Sequence, residues 1–467
     1  MNHEDILSGR AGLRGIQRAL NGQSSRRLLR DQAQKMLRPG YRAGPFRLTR
    51  AKFKPDRKLS AYFTFPAFDG AMGDPSHLVH LAVSWQHNSD SDNRSDTLSR
   101  LQSEADQSGL MPVQRELWRE IPGQGIRLQM WPFDAGFPNL VRLGDPSHVN
   151  AMLASLGIAH DPKEMPVVTA IRYRPGERHV LRYGICPPGV ASGERQQFYA
   201  KLYPNGEDAA RAFGIANRVV DWLASSDCAF SGSRPEAMSR EDGAILYRHA
   251  PGIPLSLQLD RSGQWLASRL RTIGRALAIL HNGPETLQSE LRQNDFVSEA
   301  KVVRRASEHV QVLLPAAHAK IAGILEKAER YYSGLPQERP TFTHSDFKSD
   351  HLLTTPQGVT LIDFDTCALA DPALDIGKFL ADLEWWFSLK AVEGVEQAQA
   401  QLLKGYLEEA TPTGGVSERL ARARLFQTLI LVKITVRRVP IYKSGWAEMT
   451  DRMIERAAQV LHSALTA

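Results

Sequence analysis

Side chains that could perform acid–base and metal chemistry are concentrated between residues 344 and 365. The first group is the polar run 344–351, which reads H-S-D-F-K-S-D-H, and the second is Asp363 with Asp365. A carboxylate can take a proton from a hydroxyl, and carboxylate oxygens are the ligands that Mg²⁺ prefers. The residue types therefore predict a general base and a divalent-metal site, provided that the two groups meet in the fold.

Short strands must bring the two groups together. Thr341-Phe342-Thr343 precedes the first group, and Pro356-Gln357-Gly358 predicts a turn. The aliphatic run Val359–Ile362 then reads as a short buried strand that ends at the second group. A pair of strands joined in this way would place Asp346 beside Asp363.

Three motifs in this region resemble those of the protein-kinase-like phosphotransferases, in particular the aminoglycoside phosphotransferase and choline kinase group. They are the loop at 344–351, the segment Leu361–Asp365, which reads L-I-D-F-D, and the helix start Ala370–Asp375, which reads A-D-P-A-L-D. The order and spacing are those of that family. The resemblance implies an α+β, two-lobed kinase-like fold, with an antiparallel β small lobe and a mainly helical large lobe.

The resemblance also implies an activity and roles for individual residues. The activity is ATP-dependent transfer of phosphate to a hydroxyl of a small molecule, such as a sugar, an amino-alcohol or an aminoglycoside-like compound. Asp346 is the implied base, His344 belongs to the same catalytic motif, and Lys348 would lie near the transferred phosphate. Asp363, together with Asp365, is the implied Mg²⁺ ligand, and Asp375 in the first turn of the following helix is expected to hydrogen-bond the loop backbone. Such reactions depend on positioning and charge neutralisation.

One position departs from the family pattern. The family has an asparagine as a second metal ligand where this chain has His351. Imidazole suits softer metals than Mg²⁺, so Mn²⁺ is an alternative cofactor. His351 would bind the metal, hydrogen-bond a metal-bound water, or do neither.

The nucleotide site is expected upstream of these motifs. Lys201 lies in the strand-like run Gln196–Tyr203, where the family's lysine contacts the α and β phosphates, and Glu207 is its candidate partner. The turn Arg174–Glu177 lies where the family's phosphate-covering loop belongs. The aliphatic strand that precedes the Pro251-Gly252 turn resembles the family's hinge. Residues expected to meet the adenine through their backbone are Leu246, Tyr247 and His249.

The strand pattern of the small lobe also occurs earlier in the chain. Residues 46–85 and 167–203 each contain three alternating strands with similar turns, and Val83 stands where the second block has Lys201. A partial internal duplication and the convergence of two ordinary β-meanders both remain open. We expect a basic helical arm at 1–41, an N-terminal β-rich cap domain at 42–160 that does not bind nucleotide, the small lobe at 161–250 and the large lobe at 251–467.

Composition limits the class of protein. The 467 residues carry a net charge of +7, which divides into +11 for residues 1–58 and −4 for the rest. A basic arm can bind nucleic acid, but the absence of interleaved aromatic residues favours a solvated helix face. The three cysteines form no metal or disulfide pattern, and no apolar run is long enough for membrane insertion. These features predict a cytoplasmic protein.

Two other functions remain open. A catalytically weak, nucleotide-binding pseudokinase or regulatory module is favoured by Ser345 and His351 in the loop and by the lack of a clear helix Glu to pair Lys201. A protein kinase is a weaker interpretation, because no A-P-E motif follows Asp365.

Overall fold

The computed structural model describes residues 3–70, 75–87, 95–189, 194–261, 263–410 and 415–466. The chain divides into two compact units. The first unit comprises Met1–Ala210, Pro235–His249 and Pro440–Ser444, and the second comprises Arg211–Arg234, Ala250–Val439 and Gly445–Ala467.

The helices and strands are numbered in chain order. The helices are α1 (His3–Leu7), α2 (Gly12–Asn21), α3 (Gln23–Lys35), α4 (Ser95–Gln107), α5 (Asn139–Gly144), α6 (Pro146–Ser155), α7 (Gly206–Ser225), α8 (Gly263–His281), α9 (Phe296–Ala306), α10 (Glu308–Leu313), α11 (Pro315–Gly334), α12 (Ala373–Lys390), α13 (Val395–Glu409), α14 (Val416–Arg438) and α15 (Trp446–Thr466). The strands are β1 (Tyr41–Ala43), β2 (Arg47–Lys54), β3 (Lys58–Asp69), β4 (Pro75–Gln86), β5 (Trp118–Ile121), β6 (Ile126–Met130), β7 (Val167–Arg172), β8 (Val180–Ile185), β9 (Gln196–Leu202), β10 (Phe230–Gly232), β11 (Pro235–Ser239), β12 (Ala244–Arg248), β13 (Ile253–Pro254), β14 (Arg292–Gln293), β15 (Thr341–Thr343), β16 (Leu352–Thr354), β17 (Val359–Leu361) and β18 (Ala368–Ala370).

The first unit contains two antiparallel sheets with the same strand order. One sheet runs β2-β3-β4-β6-β5, and β1 pairs with the other end of β3. The second sheet runs β7-β8-β9-β12-β11. In each sheet, a three-stranded meander is followed along the chain by a helix (α4 or α7) and then by a hairpin. The second strand of this hairpin pairs with the third strand of the meander. The similarity between the two sheets thus extends beyond the three strands that the sequence indicated in each.

The equivalent positions of the two sheets differ in chemistry. Val83 pairs with Ala61 and Leu128 and is buried. Lys201 pairs with Val180 and Ile245 and is only half-buried. The first sheet therefore has an apolar side chain where the second has an ammonium group.

One face of the second sheet is covered by α5 and α6. The buried residues from the strands and helices are Leu181, Tyr183, Ile185, Phe198, Ala200, Leu202, Leu246, Leu140, Leu143, Val149, Met152 and Leu153. Burying each large aliphatic side chain contributes about 1.5–3 kcal/mol. Because side chains alternate between the faces of a strand, Lys201 lies on the face opposite Ala200 and Leu202.

The second unit is mainly helical and contains two small sheets. They run β10-β17-β16-β13 and β14-β18-β15. Helix α12 packs closely on α14 at Gly377, where an added Cβ atom would overlap the carbonyl oxygen of Ala423. These elements surround the loop between β15 and β16.

The predicted α+β class, with an antiparallel five-stranded sheet and a mainly helical second unit, is confirmed. One boundary between the two units falls between His249 and Ala250, and both five-stranded arrays lie in the first unit. Among the described residues, no helix combines the length and apolar character that a membrane span requires.

Candidate active site

The loop between β15 and β16 is fixed by a buried carboxylate. Asp375, in the first turn of α12, accepts hydrogen bonds from the backbone N–H of His344 at 2.7 Å and of Ser345 at 2.8 Å. His281 at the end of α8 lies 3.3 Å from the same carboxylate and 2.9 Å from the hydroxyl of Tyr406. The sequence-based expectation that Asp375 holds the loop backbone is confirmed.

His344 serves the loop's structure. Its side chain is completely buried, and its Nε2 lies 3.1 Å from the carbonyl oxygen of Ile362. The backbone N–H of Asp346 donates to its Nδ1 at 3.3 Å. The imidazole thus links the loop to the end of β17, and both its nitrogens have protein partners.

Asp346 is held between two lysines. Lys348 Nζ lies 2.7 Å from one carboxylate oxygen, and Lys378 Nζ lies 2.7 Å from the other. Burial by itself raises the pKa of the Asp346 carboxyl, but Lys378 and Lys348 outweigh this effect and hold the pKa well below its usual range. The carboxylate is therefore ionised and able to accept a hydrogen bond from a hydroxyl.

Asp346, His351 and Asp363 form a group that could hold a metal ion, because each offers one ligand atom and these atoms lie within 4.8 Å of one another. His351 Nδ1 lies 3.1 Å from the carbonyl oxygen of Asp346, and its Nε2 lies 3.3 Å from Asp363 Oδ2. In the His351 tautomer whose Nδ1 carries the hydrogen, the lone pair of Nε2 faces the carboxylate oxygen of Asp363. A divalent cation would satisfy both, so the donor set fits such an ion.

The backbone beside these groups adopts an uncommon conformation. Ser345 has φ of 58° and Asp363 has φ of 72°, both in the left-handed region. Such residues cost of order 1–3 kcal/mol and cluster at functional sites. The two acidic groups are therefore positioned by conformations that the surrounding hydrogen bonds must maintain.

Asp365 lies in the turn that follows Asp363 and is half-exposed. Among the described residues, it is not a member of the three-residue group of potential ligands. The structure thus brings together Asp346, His351 and Asp363 but leaves Asp365 beside them as a neighbour.

The residues assigned to nucleotide binding lie in the first unit. Lys201 is in β9, and its Nζ lies 5.4 Å from the centre of the Tyr247 ring in β12. Glu207, the candidate partner of Lys201, is exposed and forms an ion pair of 2.5 Å with Arg240. The structure thus gives Glu207 a partner that the sequence did not suggest.

The predicted hinge segment, Leu246–His249, comprises the end of β12 and the residue after it. Leu246 is buried and pairs with Ala200. The backbone N–H of His249 donates to the carbonyl oxygen of Gln197 at 2.8 Å, and the His249 ring lies 5.9 Å from that of Tyr199. The segment Leu246–His249 thus continues the pairing of β12 with β9, the strand that carries Lys201.

Lys378 is the residue that sequence reasoning missed. It follows Asp375 by three positions on α12, and residues three apart lie on one face of a helix. Since Asp375 was expected to contact the loop, the same spacing could have placed Lys378 against it. On α14, Lys433 forms a 2.6 Å ion pair with Glu299, and its pKa is lowered by burial and by the charge of Lys378.

Comparison with known families identifies this part of the chain. Residues 190–412 match the model of the phosphotransferase enzyme family, and they contain the loop between β15 and β16, the segment Leu361–Asp365 and α12. This segment resembles the phosphotransferase enzyme family. The predicted resemblance is therefore confirmed for the segment that carries Asp346 and Asp363, while β7 and β8 lie before it. No curated protein matches the chain.

Several solved structures are similar to this chain. Choline kinase from Cryptosporidium parvum is 12% identical, with a TM-score of 0.47, over 68% of this chain and 96% of that one. Amicoumacin kinase hAmiN, in complex with AMP-PNP, Ca²⁺ and Ami, is 15% identical, with a TM-score of 0.46, over 68% and 93%. Spectinomycin phosphotransferase APH(9)-Ia, in complex with ADP and its antibiotic, is 12% identical, with a TM-score of 0.45, over 68% and 98%.

Proposed function

We propose that the protein is an ATP- and divalent-metal-dependent phosphotransferase that moves the γ-phosphate to a hydroxyl of a small molecule. The observation that carries the proposal is the convergence of Asp346, His351 and Asp363 on a loop held by Asp375, within the phosphotransferase family segment. Asp346 thus supplies a base, and Asp363 with His351 supplies a metal-binding group.

Each residue has a role in this proposal. Asp346 accepts a hydrogen bond from the acceptor hydroxyl and directs its oxygen toward the γ-phosphorus. As the oxygen–phosphorus bond forms, the bond from the γ-phosphorus to the leaving oxygen of ADP breaks, and Asp346 receives the hydroxyl proton. Lys348 and Lys378, each 2.7 Å from Asp346, stabilise the negative charge around the transferred group.

The metal and the nucleotide have separate binding groups. Asp363 and His351 would hold Mg²⁺ or Mn²⁺, which neutralises phosphate charge when it is bound. Lys201 would contact the α and β phosphates, and the backbone at Leu246–His249 would meet the adenine. This assignment rests on the family resemblance and on the position of Lys201 on the half-exposed face of its sheet.

A nucleotide-binding regulatory module is the second candidate. Its supporting observations are His351 at the family's asparagine position and Glu207 bound to Arg240. The two candidates differ in turnover. Full-length protein is incubated with ATP, Mg²⁺ or Mn²⁺, and a panel of sugars, amino-alcohols and aminoglycosides, and ³¹P NMR detects the phosphorylated product. Acceptor-dependent product supports the phosphotransferase, whereas nucleotide binding without product from any panel member supports the regulatory module.

A further inference from the structure

The turn between β7 and β8 is held by a carboxylate from the preceding part of the chain. Asp134 Oδ2 accepts a hydrogen bond from the backbone N–H of Gly176 at 2.8 Å and lies 2.8 Å from His179 Nε2. Its Oδ1 accepts from the backbone N–H of Gly136 at 2.9 Å. Asp134 is 4% exposed and His179 is fully buried, so these are contacts within the core of the first unit.

Aromatic contacts fix the same turn from its other side. Tyr173 donates its hydroxyl hydrogen to the carbonyl oxygen of Phe133 at 2.6 Å. The His179 ring stacks on Tyr173 at 5.6 Å and meets the edge of Phe137 at 5.0 Å. Both ends of the turn are thus attached to residues 133–137, which connect the first sheet to α5.

The tip of the turn has a further contact with the first sheet. Glu177 Oε1 lies 3.4 Å from Lys52 Nζ, which belongs to β2. The backbone N–H of Glu177 donates to the carbonyl oxygen of Arg174, and Gly176 has φ of 76°. Pro175 and Gly176 are the residues that a tight turn of this kind requires. The conformation is therefore set partly by the turn's own sequence and partly by residues more than 40 positions upstream.

This turn is directly connected to the strand that carries Lys201. The backbone N–H of Leu202 donates to the carbonyl oxygen of His179 at 3.2 Å, and the next residue, Val180, pairs with Lys201. A displacement of His179 would thus shift the start of β8 against Lys201.

A buried carboxylate by itself adds little to the stability of the fold. Desolvation of a buried charged group often cancels the attraction that it gains, and apolar replacements are often equally stable. Moreover, His179 Nδ1 is buried and has no hydrogen-bond partner among the described residues. The Asp134–His179 pair is thus better explained by the geometry that it imposes than by the stability that it adds.

We propose that Asp134 is a positioning residue for the nucleotide site: it holds the β7–β8 turn in the conformation that covers the nucleotide phosphates. This inference rests on the proposed function, which assigns the turn and Lys201 to the nucleotide. It gives the N-terminal part of the chain, which lies outside the family segment at 190–412, a role in nucleotide binding.

The test compares Asp134→Asn with Arg142→Leu in the full-length protein. Arg142, on α5, contacts Asp242 at 2.6 Å in the turn between β11 and β12, so it joins the same part of the chain to the same sheet without touching the β7–β8 turn. The KM for ATP, the KM for the acceptor, kcat and the Kd for AMP-PNP are measured for both variants. Asp134→Asn should raise the KM for ATP and the Kd about tenfold or more, with little change in the KM for the acceptor, because a charged acceptor of two hydrogen bonds is lost. Arg142→Leu should lower only the melting temperature.

A surface variant covers the case in which Asp134→Asn does not fold. Lys52→Met removes the half-exposed contact to Glu177, and it should raise the KM for ATP about twofold to threefold without loss of folding. The inference is overturned if Asp134→Asn changes ATP affinity no more than Arg142→Leu does. If the Asp134→Asn protein does not fold, the inference is overturned when Lys52→Met leaves ATP affinity unchanged. A wild-type protein that binds no AMP-PNP would instead refute the proposed function.

Discussion

Replacement of Asp375 should loosen the catalytic loop and lower both stability and turnover. In Asp375→Ala, the backbone N–H groups of His344 and Ser345 lose their acceptor, and His281 loses a partner. A buried donor without a partner costs about 1–3 kcal/mol, so the two N–H groups together cost about 2–6 kcal/mol. Ser345 also has left-handed backbone geometry, which costs about 1–2 kcal/mol and which the carboxylate helps to maintain.

The effect on turnover follows from the position of Asp346, which is the next residue after Ser345. A displacement of about 1 Å at a reacting group can reduce the rate about 10²-fold. We therefore expect Asp375→Ala to lose about two orders of magnitude in kcat, and Asp375→Asn, which keeps one acceptor oxygen, to lose less. Urea unfolding gives the stability, and amide hydrogen exchange of peptides spanning 341–353 reports on the loop itself.

A matched control separates loop loosening from a general loss of stability. Asp295 caps α9 by accepting the backbone N–H of Ser298 at 2.7 Å, on the surface of the same unit. Asp295→Ala should cost about 1 kcal/mol and leave kcat unchanged. The reasoning about Asp375 is refuted if Asp375→Ala exchanges its loop amides at the wild-type rate and keeps wild-type kcat.

The remaining predictions concern charge and metal binding. Lys378→Met should lower kcat about 10-fold to 100-fold with little change in nucleotide affinity, because Asp346 loses one of its two ion pairs; an unchanged kcat would remove Lys378 from the site. His351→Asn should shift the preference from Mn²⁺ toward Mg²⁺, and identical metal profiles for the two proteins would exclude His351 as a ligand of the ion that Asp363 binds. Burial lowers the pKa of His309 to about 4, so as the pH falls from 6.5 to 4 the unfolded chain binds a proton at this residue before the folded chain does, and the free energy of unfolding should fall by about 2–3 kcal/mol. His309→Phe should lose this part of the pH dependence, and a pH profile of unfolding identical to that of the wild type would contradict the prediction.

The catalytic loop could be predicted because its determinants are local. The strand at Thr341–Thr343 has the predicted bounds, and the run at Val359–Ile362 forms β17. Turn residues and short aliphatic runs fix such a hairpin with few long-range contacts. Lys378 was missed because its function depends on the face of α12, which becomes apparent only when Asp375 is used as a reference.

The N-terminal part was predicted less completely. The sequence did not indicate strands β5 and β6, which have no more than five residues each. The contacts of Asp134 join segments more than 40 residues apart, and no local pattern encodes them. The ion pair of Glu207 with Arg240 likewise depends on the position of the β11–β12 turn. Short strands and long-range polar pairs are thus the features that the sequence leaves undetermined.

The most direct test of the proposed function is transfer of ³²P from γ-labelled ATP to an acceptor hydroxyl, by the wild-type protein and by Asp346→Asn. The proposal predicts an acceptor-dependent labelled product with the wild-type protein and a loss of about 10²–10⁴ in turnover with the variant, while AMP-PNP affinity is retained. Equal turnover by the two proteins on the same acceptor would contradict the role of Asp346 as the base.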